Sequence, residues 1–328
     1  MINYIKLIRP VNLLIIIITM YLFRYSFVAA TPYKTLYISY VMSHFQFFIL
    51  VLATVFIAAG GYVINDIFDV DIDTVNKPTK VIIGNTINEN SAYNLYKILC
   101  ILGVICTLIL AFSTKNYRLS LMPIIIMVIL NFYAHTFKKQ LIVGNFMIAL
   151  CTASTILLIA LFESGTKTEF NANEMIVRSG IAIAAATYGG FAFLTTFLRE
   201  IIKDMEDKEG DEQYGCRTIP IVFGNKGAKI IGMVLIFKII VILISWMLFF
   251  PNLLMKNASY FVGGALLFPL VVIAVLFIMA NTKKQYNFLS NVLKVYMLIG
   301  ISSMLFFISG NGPYVFVQYI NYMKKFFY

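Results

Sequence analysis

The amino-acid sequence predicts an all-α, polytopic membrane protein with about nine transmembrane helices. Three observations carry that prediction. Hydrophobic residues fill 60% of the 328 positions and charged residues only 12%, giving a mean hydropathy of +0.86. A water-soluble domain cannot hide that much apolar surface, whereas a multi-span protein shows it to lipid. The apolar residues also fall into runs of membrane-crossing length, separated by short polar segments. Finally, the net charge of +11 fits basic loops on the inner side of a membrane. No nucleic-acid-binding motif accompanies it, so nucleic acid is not expected as a partner.

Length and hydropathy place the spans near 5–28, 43–65, 91–112, 119–136, 144–162, 175–202, 228–250, 258–280 and 288–308. Residues 1–308 thus form one transmembrane domain, and 309–328 a C-terminal tail. Lys6 and Arg9 precede the first apolar run, and "VAA" at 28–30 has the small residues of a signal-cleavage site. Arg24 interrupts the apolar stretch before it, which argues against cleavage. With the N-terminus inside, the inner loops are 66–90, 137–143, 203–227 and 281–287. With their flanks and the N-terminus these hold most of the basic residues, including Lys208, Lys226, Lys283 and Lys284. The expectation is an integral protein of the inner (plasma) membrane of a prokaryote, with these loops cytoplasmic.

Cys100, Cys106 and Cys151 lie in apolar runs and Cys216 in a charged loop, with no C-x-x-C pair. Neither a disulfide framework nor a zinc site is indicated. His44 and His135 are isolated and read as helix-end residues.

Twelve of the fifteen acidic residues fall within 66–89 and 200–212, an asymmetry that topology does not require. The stretch "DVDIDTVNKPTK" opens like an EF-hand loop. Thr74 stands where the sharp turn needs Gly, and Lys80 where a bidentate Glu belongs, so calcium is rejected. On a helix turning about 100° per residue, Asp66, Asp69 and Asp73 share an arc of about 60°, while Asp71 points away. Asp204, Asp207 and Asp211 repeat the spacing, and Glu200 falls on the same face. Gly210 is expected to fray that second helix.

Helix C-terminal ends ordinarily favour Lys and Arg. Carboxylates clustered there repel each other unless a cation sits between them. Mg²⁺, a hard ion that takes oxygen ligands and shares phosphates, fits that need. Two such faces would hold Mg²⁺ with a diphosphate. Basic residues surround them: Lys77 and Lys80 after the first, Lys203 and Arg217 around the second, and Lys138 and Lys139 between. A solvated basic rim is the ordinary explanation of each. Lys80 and Arg217 stand out by following their acidic segments closely.

With these motifs in view, the chain resembles the UbiA-type intramembrane prenyltransferases over nearly its whole length. Their N-D-x-x-D-x-x-x-D signature is met by Asn65, Asp66, Asp69 and Asp73, and D-x-x-D-x-x-x-D by Asp204, Asp207 and Asp211. The flanks "IRPVN", "DTVNKPTK", "YAHTFKKQLIVGN" and "REIIKDMEDKEGDEQYGCRTIPIVFG" are similar as well. The resemblance implies helices around a central lipid-accessible chamber capped by the acidic loops. It implies Mg²⁺-dependent transfer of an isoprenyl group from an isoprenyl diphosphate to a lipophilic acceptor. The six motif aspartates then serve as catalytic metal ligands.

Substrate-binding roles are expected for Asn65, Lys77, Lys80, Lys138, Lys139, Lys203 and Arg217. Lys80 and Arg217 are assigned to the donor, and Arg9 and Asn12 to the acceptor head; for a phosphate-bearing acceptor, Arg9 with Lys138 or Lys139 are the available basic groups. Tyr133, with Tyr62 and Phe68, is suited to shielding an allylic cation. In its motifs the chain is most similar to members that alkylate geranylgeranylglyceryl phosphate. An aromatic, quinone-precursor acceptor stays open, as does a cation-coupled transporter or scaffold. Transporter carboxylates usually lie mid-span, whereas these lie at helix ends.

Overall fold

The computed structural model describes residues 2–28, 42–164, 172–249 and 256–307. The predicted tail at 309–328 and the end of the VAA stretch lie outside the described residues. The chain forms α1 (Ile2–Leu7), α2 (Pro10–Phe23, continued by a π-helical turn, Arg24–Val28), α3 (His44–Phe68) and α4 (Val70–Asn76). Next come α5 (Glu89–Thr114), α6 (Tyr117–Ser120), α7 (Met122–His135), α8 (Val143–Ser164) and α9 (Ala172–Gln213). The last are α10 (Ile219–Val222), α11 (Gly224–Phe249), α12 (Lys256–Phe261), α13 (Phe268–Met279) and α14 (Lys283–Ser302).

Among the described residues, nine helical stretches are long and apolar enough to cross a membrane, from Pro10–Val28 to Lys283–Phe307. They follow the predicted order. No strand forms among the described residues; Ile83 and Ile87 make one isolated bridge. His44 opens α3 and His135 closes α7, as expected of helix-end residues. All four cysteines are free.

The helix ends follow local chemistry. Ser43 and Gln46 form a reciprocal capping box at the start of α3, and Thr282 and Gln285 do the same for α14. Three expectations change. The first span begins at Pro10, because Arg9 adopts a left-handed φ of 52° and breaks the helix. The first acidic face is not one continuous helix: Asp69 interrupts it, ending α3 and starting α4. And Gly210 does not fray α9, which continues to Gln213.

The described residues group into two compact units. The first comprises the described parts of Met1–Ile18, Met42–Cys151 and Glu200–Ala228. Leu7, Val63, Ile64, Ile67, Ile83, Ala92 and Ala134 form one of its buried cores, anchoring the end of α3 against α1, α5, α7 and the loop after α4. The second comprises Thr19–Val41, Thr152–Arg199 and Lys229–Tyr328, again as far as described. There Phe27 packs on Phe307 (ring centroids 4.9 Å apart) and on Tyr188 (5.4 Å), whose hydroxyl is 2.9 Å from that of Ser303. Tyr188, Phe191, Trp246, Leu266 and Phe307 help to line an apolar pocket.

The second unit also buries an ion pair that the sequence reading missed. Arg24, in the π-helical turn, lies 3.6 Å from Glu163, with side chains only 2% and 3% exposed. Removing one partner strands a charge in an apolar interior. Arg24→Met is therefore expected to lower the thermal midpoint of unfolding in detergent, on the scale of about 3–5 kcal/mol. Adding Glu163→Gln should recover part of that loss. A midpoint unchanged by Arg24→Met would show that the pair is dispensable.

Candidate active site

All six motif aspartates belong to the first unit. The end of α3 supplies Asp66, the break supplies Asp69, α4 supplies Asp73, and the last turns of α9 supply Asp204, Asp207 and Asp211. The α3 ladder carries across the break, because Asp69 N–H donates to Asn65 O (3.0 Å) and Asp73 N–H to Asp69 O (2.7 Å). The three acidic side chains thus remain successive turns of one bent segment.

Basic side chains stand between these carboxylates. Arg9 donates to Asp66 Oδ1 at 2.5 Å, and its guanidinium lies 5.0 Å from the Tyr62 ring centroid. The left-handed backbone at Arg9 costs on the order of 1–2 kcal/mol and places this arginine on α3. Lys138 bonds Asp69 Oδ2, which also accepts from Asn65 Nδ2 at 2.6 Å. Lys77 bonds Asp207 Oδ2 at 2.5 Å. Asn145, in the first turns of α8, donates to Asp204 Oδ2 at 2.8 Å. Lys203 turns to Glu200, 3.0 Å away on its own helix.

The two acidic segments are joined through these cations. Burial pulls the Lys138 pKa down, but Asp69, with Asp211 further out, pushes it above the usual lysine value. Burial likewise opposes charge on Lys77, while Asp207, then Asp73 and Glu206, drive its pKa up. Lys138 therefore answers to Asp69 on one segment and Asp211 on the other, and Lys77 to Asp73 and Asp207. Burial, then the neighbouring Asp69, raises the Asp73 carboxyl above the ordinary carboxylate range.

The loop carrying Lys138 is tightly wound. Ile142, a β-branched residue, has φ of 66° at the centre of a turn closed by Val143 N–H to Leu141 O at 2.7 Å. A Cβ on Gly144 would sit 2.8 Å from Phe137 O and 3.0 Å from Lys138 Cα. Strain of this kind persists only where surrounding structure enforces it. Here it joins Lys138 to Asn145, which serve different acidic segments.

Lys139 and Arg217 behave differently. Arg217 N–H donates to Lys139 O at 2.9 Å, joining the loop before α8 to the loop after α9. Both side chains are exposed, and among the described residues neither makes an ion pair. Next to them, Cys216 N–H donates to Asp211 O at 2.9 Å. Burial pushes the Cys216 thiol up to about 11; Asp211 adds to the shift, and Lys138 and Lys139 oppose it.

Other expected residues fall as follows. The side chain of Lys80 lies outside the described residues. Asn12, half-buried in α2, donates its N–H to Arg9 O at 2.9 Å. Tyr133 sits half-buried in the last turns of α7. Tyr62 carries Arg9, and Phe68 meets His135 edge-on at 5.1 Å, so both rings have protein partners. Asp71 is exposed, as the helical-face argument requires. Sequence reasoning missed Asn145 and Asn76. Each is a side-chain amide within a quoted motif flank, and nothing in its local sequence marks it for this role.

The donor set suits Mg²⁺. It is all hard oxygen, and two oxygens, Asn65 Oδ1 and Asp207 Oδ1, are buried without a hydrogen-bond partner. A buried oxygen left without a donor costs about 1–3 kcal/mol, which a hard cation would offset. The carboxylates do not converge bare, as two facing acidic surfaces would suggest. Among the described residues no three acidic side chains form a metal-ligand group, because Arg9, Lys77 and Lys138 lie among them.

The model of the UbiA prenyltransferase family matches residues 17–300. A digeranylgeranylglyceryl phosphate synthase of Methanosphaera stadtmanae is 28% identical over 304 residues, which cover 92% of this chain and 97% of that one. The synthase of the same name from Methanobrevibacter smithii is 31% identical over 233 residues, 71% of this chain and 73% of its own. A solved structure from work on digeranylgeranylglyceryl phosphate synthase in membranes aligns with a TM-score of 0.62 at 23% identity, covering 94% of this chain and 98% of that one. A UbiA homologue from Archaeoglobus fulgidus, bound to GPP and Mg²⁺, aligns with a TM-score of 0.55 at 15% identity, covering 92% and 99%. At these identities the two structures bear on the fold alone.

Proposed function

The chain belongs to the UbiA prenyltransferase family, and from that premise we propose that it alkylates a glyceryl-phosphate lipid with an isoprenyl group drawn from an isoprenyl diphosphate. The reaction is placed at the cytoplasmic face of a prokaryotic inner membrane and depends on Mg²⁺. The observation that carries this reading is the sorting of basic side chains. Arg9, Lys77 and Lys138 are committed to aspartates, whereas Lys139 and Arg217 are joined through their backbones and make no ion pair among the described residues. The first group suits a metal-bound diphosphate, and the second a separate phosphate.

In the reaction, the C1–O bond of the allylic donor breaks and diphosphate leaves with the electron pair. The acceptor hydroxyl oxygen bonds C1 and releases its proton. Asp66, Asp69, Asp73, Asp204, Asp207 and Asp211, with Asn65, are the residues that would hold Mg²⁺. Such an ion, when bound, would supply positive charge to a diphosphate. Lys77 and Lys138, bonded to Asp207 and Asp69, stand among the carboxylates that would hold the ion, and such preorganised donors would stabilise a leaving diphosphate as its charge develops. Asn65 and Asn145 hold Asp69 and Asp204 in place.

This reassigns Arg217 from donor to acceptor, because it is not paired with the motif carboxylates. Arg9 shifts the other way, since Asp66 holds it. Neutralising Lys139 or Arg217 should raise the acceptor KM about ten- to a hundredfold, the value of one charge-assisted contact, and leave the donor KM nearly unchanged. The measurement is a steady-state matrix against labelled isoprenyl diphosphates, glyceryl-phosphate lipids and aromatic acceptors, with products identified by mass. Turnover of the aromatic acceptor alone would replace this reading with a quinone-precursor prenyltransferase.

A further inference from the structure

Position 210 is a glycine inside a 42-residue helix, α9. Glycine there disfavours the helix by about 1 kcal/mol relative to alanine, yet the helix runs through it without fraying. The reason lies across from it. Asn76, the last residue of α4, is 4% exposed. Its side-chain oxygen accepts the Gly210 N–H at 3.0 Å. A Cβ at position 210 would lie 2.6 Å from Asn76 Cγ and Nδ2, far inside van der Waals contact. The approach is possible only because residue 210 has no side chain.

The neighbours give this contact its place in the site. Asn76 lies one turn beyond Asp73, and Gly210 lies between Asp207 and Asp211. The next residue, Lys77, bonds Asp207. Two consecutive residues of the segment after the first acidic motif thus grip one turn of the second. None of the other bonds from the described motif aspartates runs directly from the first acidic segment to the second: Arg9, Lys138 and Asn145 come from other parts of the chain.

We propose that Asn76 and Gly210 form a latch that sets the spacing between the two aspartate motifs, with Asn76 a positioning residue acting through Gly210. A side chain at 210 would wedge the motifs apart. Loss of the Asn76 amide would free the α4 end to drift and would weaken the Lys77–Asp207 bond. The consequence is a change in how well the two carboxylate sets share one metal–diphosphate unit, so it rests on the prenyl-transfer reading above.

The test uses four full-length proteins in detergent: wild type, Asn76→Ala, Gly210→Ala and the double variant. Thermal midpoints are measured without ligand and with Mg²⁺ plus inorganic pyrophosphate, and Mg²⁺ titrations of turnover run alongside. A ligand that binds only the folded protein raises the midpoint according to its affinity, so the shift reports site geometry apart from bulk stability. Gly210→Ala is expected to shrink the Mg²⁺–pyrophosphate shift and to raise the Mg²⁺ concentration for half-maximal turnover about tenfold. Asn76→Ala should do the same to a smaller degree.

The decisive sign is in the double variant. Truncating the Asn76 side chain leaves room for the new Cβ, so the double variant should outperform Gly210→Ala alone in both measurements. A double variant no better than Gly210→Ala, or a Gly210→Ala protein with the wild-type Mg²⁺ requirement, overturns the latch. If the wild type shows no Mg²⁺–pyrophosphate shift, the prenyl-transfer reading falls. The ligand-free midpoints then still decide the latch, which requires the double variant to lie above Gly210→Ala.

Discussion

Asp69→Ala and Asp207→Ala should each lower kcat/KM by a hundredfold or more in an assay of labelled isoprenyl diphosphate, with Asp71→Ala within about threefold of wild type. Asp69 is 4% exposed and is the one carboxylate approached by both Lys138 and Asn65. Deleting it removes a candidate metal ligand and also takes the partner from the half-buried Lys138 ammonium. Asp207 has the parallel position beside Lys77, with its Oδ1 still unpartnered. Losing one preorganised electrostatic partner at a reacting centre typically costs about two to three orders of magnitude in rate. Asp71, three residues before Thr74, is exposed and makes no ion pair among the described residues; its backbone oxygen accepts the Thr74 hydroxyl at 2.5 Å. Equal damage at Asp71 and Asp69 would mean that bulk acidity, and not the geometry of one face, sets the rate.

The spans and the two acidic motifs were legible because each is a periodic or local signal. Membrane-crossing length is read from continuous hydropathy, and the i, i+3, i+7 spacing of aspartates places them on one face of whatever helix they occupy. What sequence could not show is tertiary. The break at Asp69 has no Gly or Pro to announce it. The positive φ values of Arg9 and Ile142 fall on residues that rarely adopt them, so no propensity argument would place strain there. The sorting of lysines into paired and unpaired depends on which loop passes which helix end. Lys138 and Lys139 are adjacent in sequence, yet one bonds Asp69 and the other faces outward beside Arg217. Gly210 shows the limit most clearly. Local propensity reads it as a weak point in a helix, while its role comes from Asn76, well over a hundred residues away in the chain.

Chelation should have an effect at least as large as any single aspartate substitution. Turnover is expected to fall to background in EDTA and to return with Mg²⁺ or Mn²⁺. The charge balance is the reason. Six motif aspartates face three committed cations, Arg9, Lys77 and Lys138, so the rim is already short of positive charge before an anionic diphosphate arrives. Like charges gathered in one partly buried site disfavour ionisation and binding alike. Monovalent salt would screen exposed charges but reaches buried pairs far less, so potassium should not substitute. Calcium is the more telling control. It is an oxygen-seeking divalent ion too, but takes more ligands at longer distances than Mg²⁺. A set of carboxylates spaced by rigid helix turns and interleaved with lysines should accept it poorly as an activator. Rates are to be measured at matched ionic strength, with the ligand-free thermal midpoint recorded in EDTA so that loss of activity is separated from unfolding. Full turnover in chelator with the fold intact would remove the metal from the mechanism and leave Arg9, Lys77 and Lys138 as the cations left to meet the departing diphosphate.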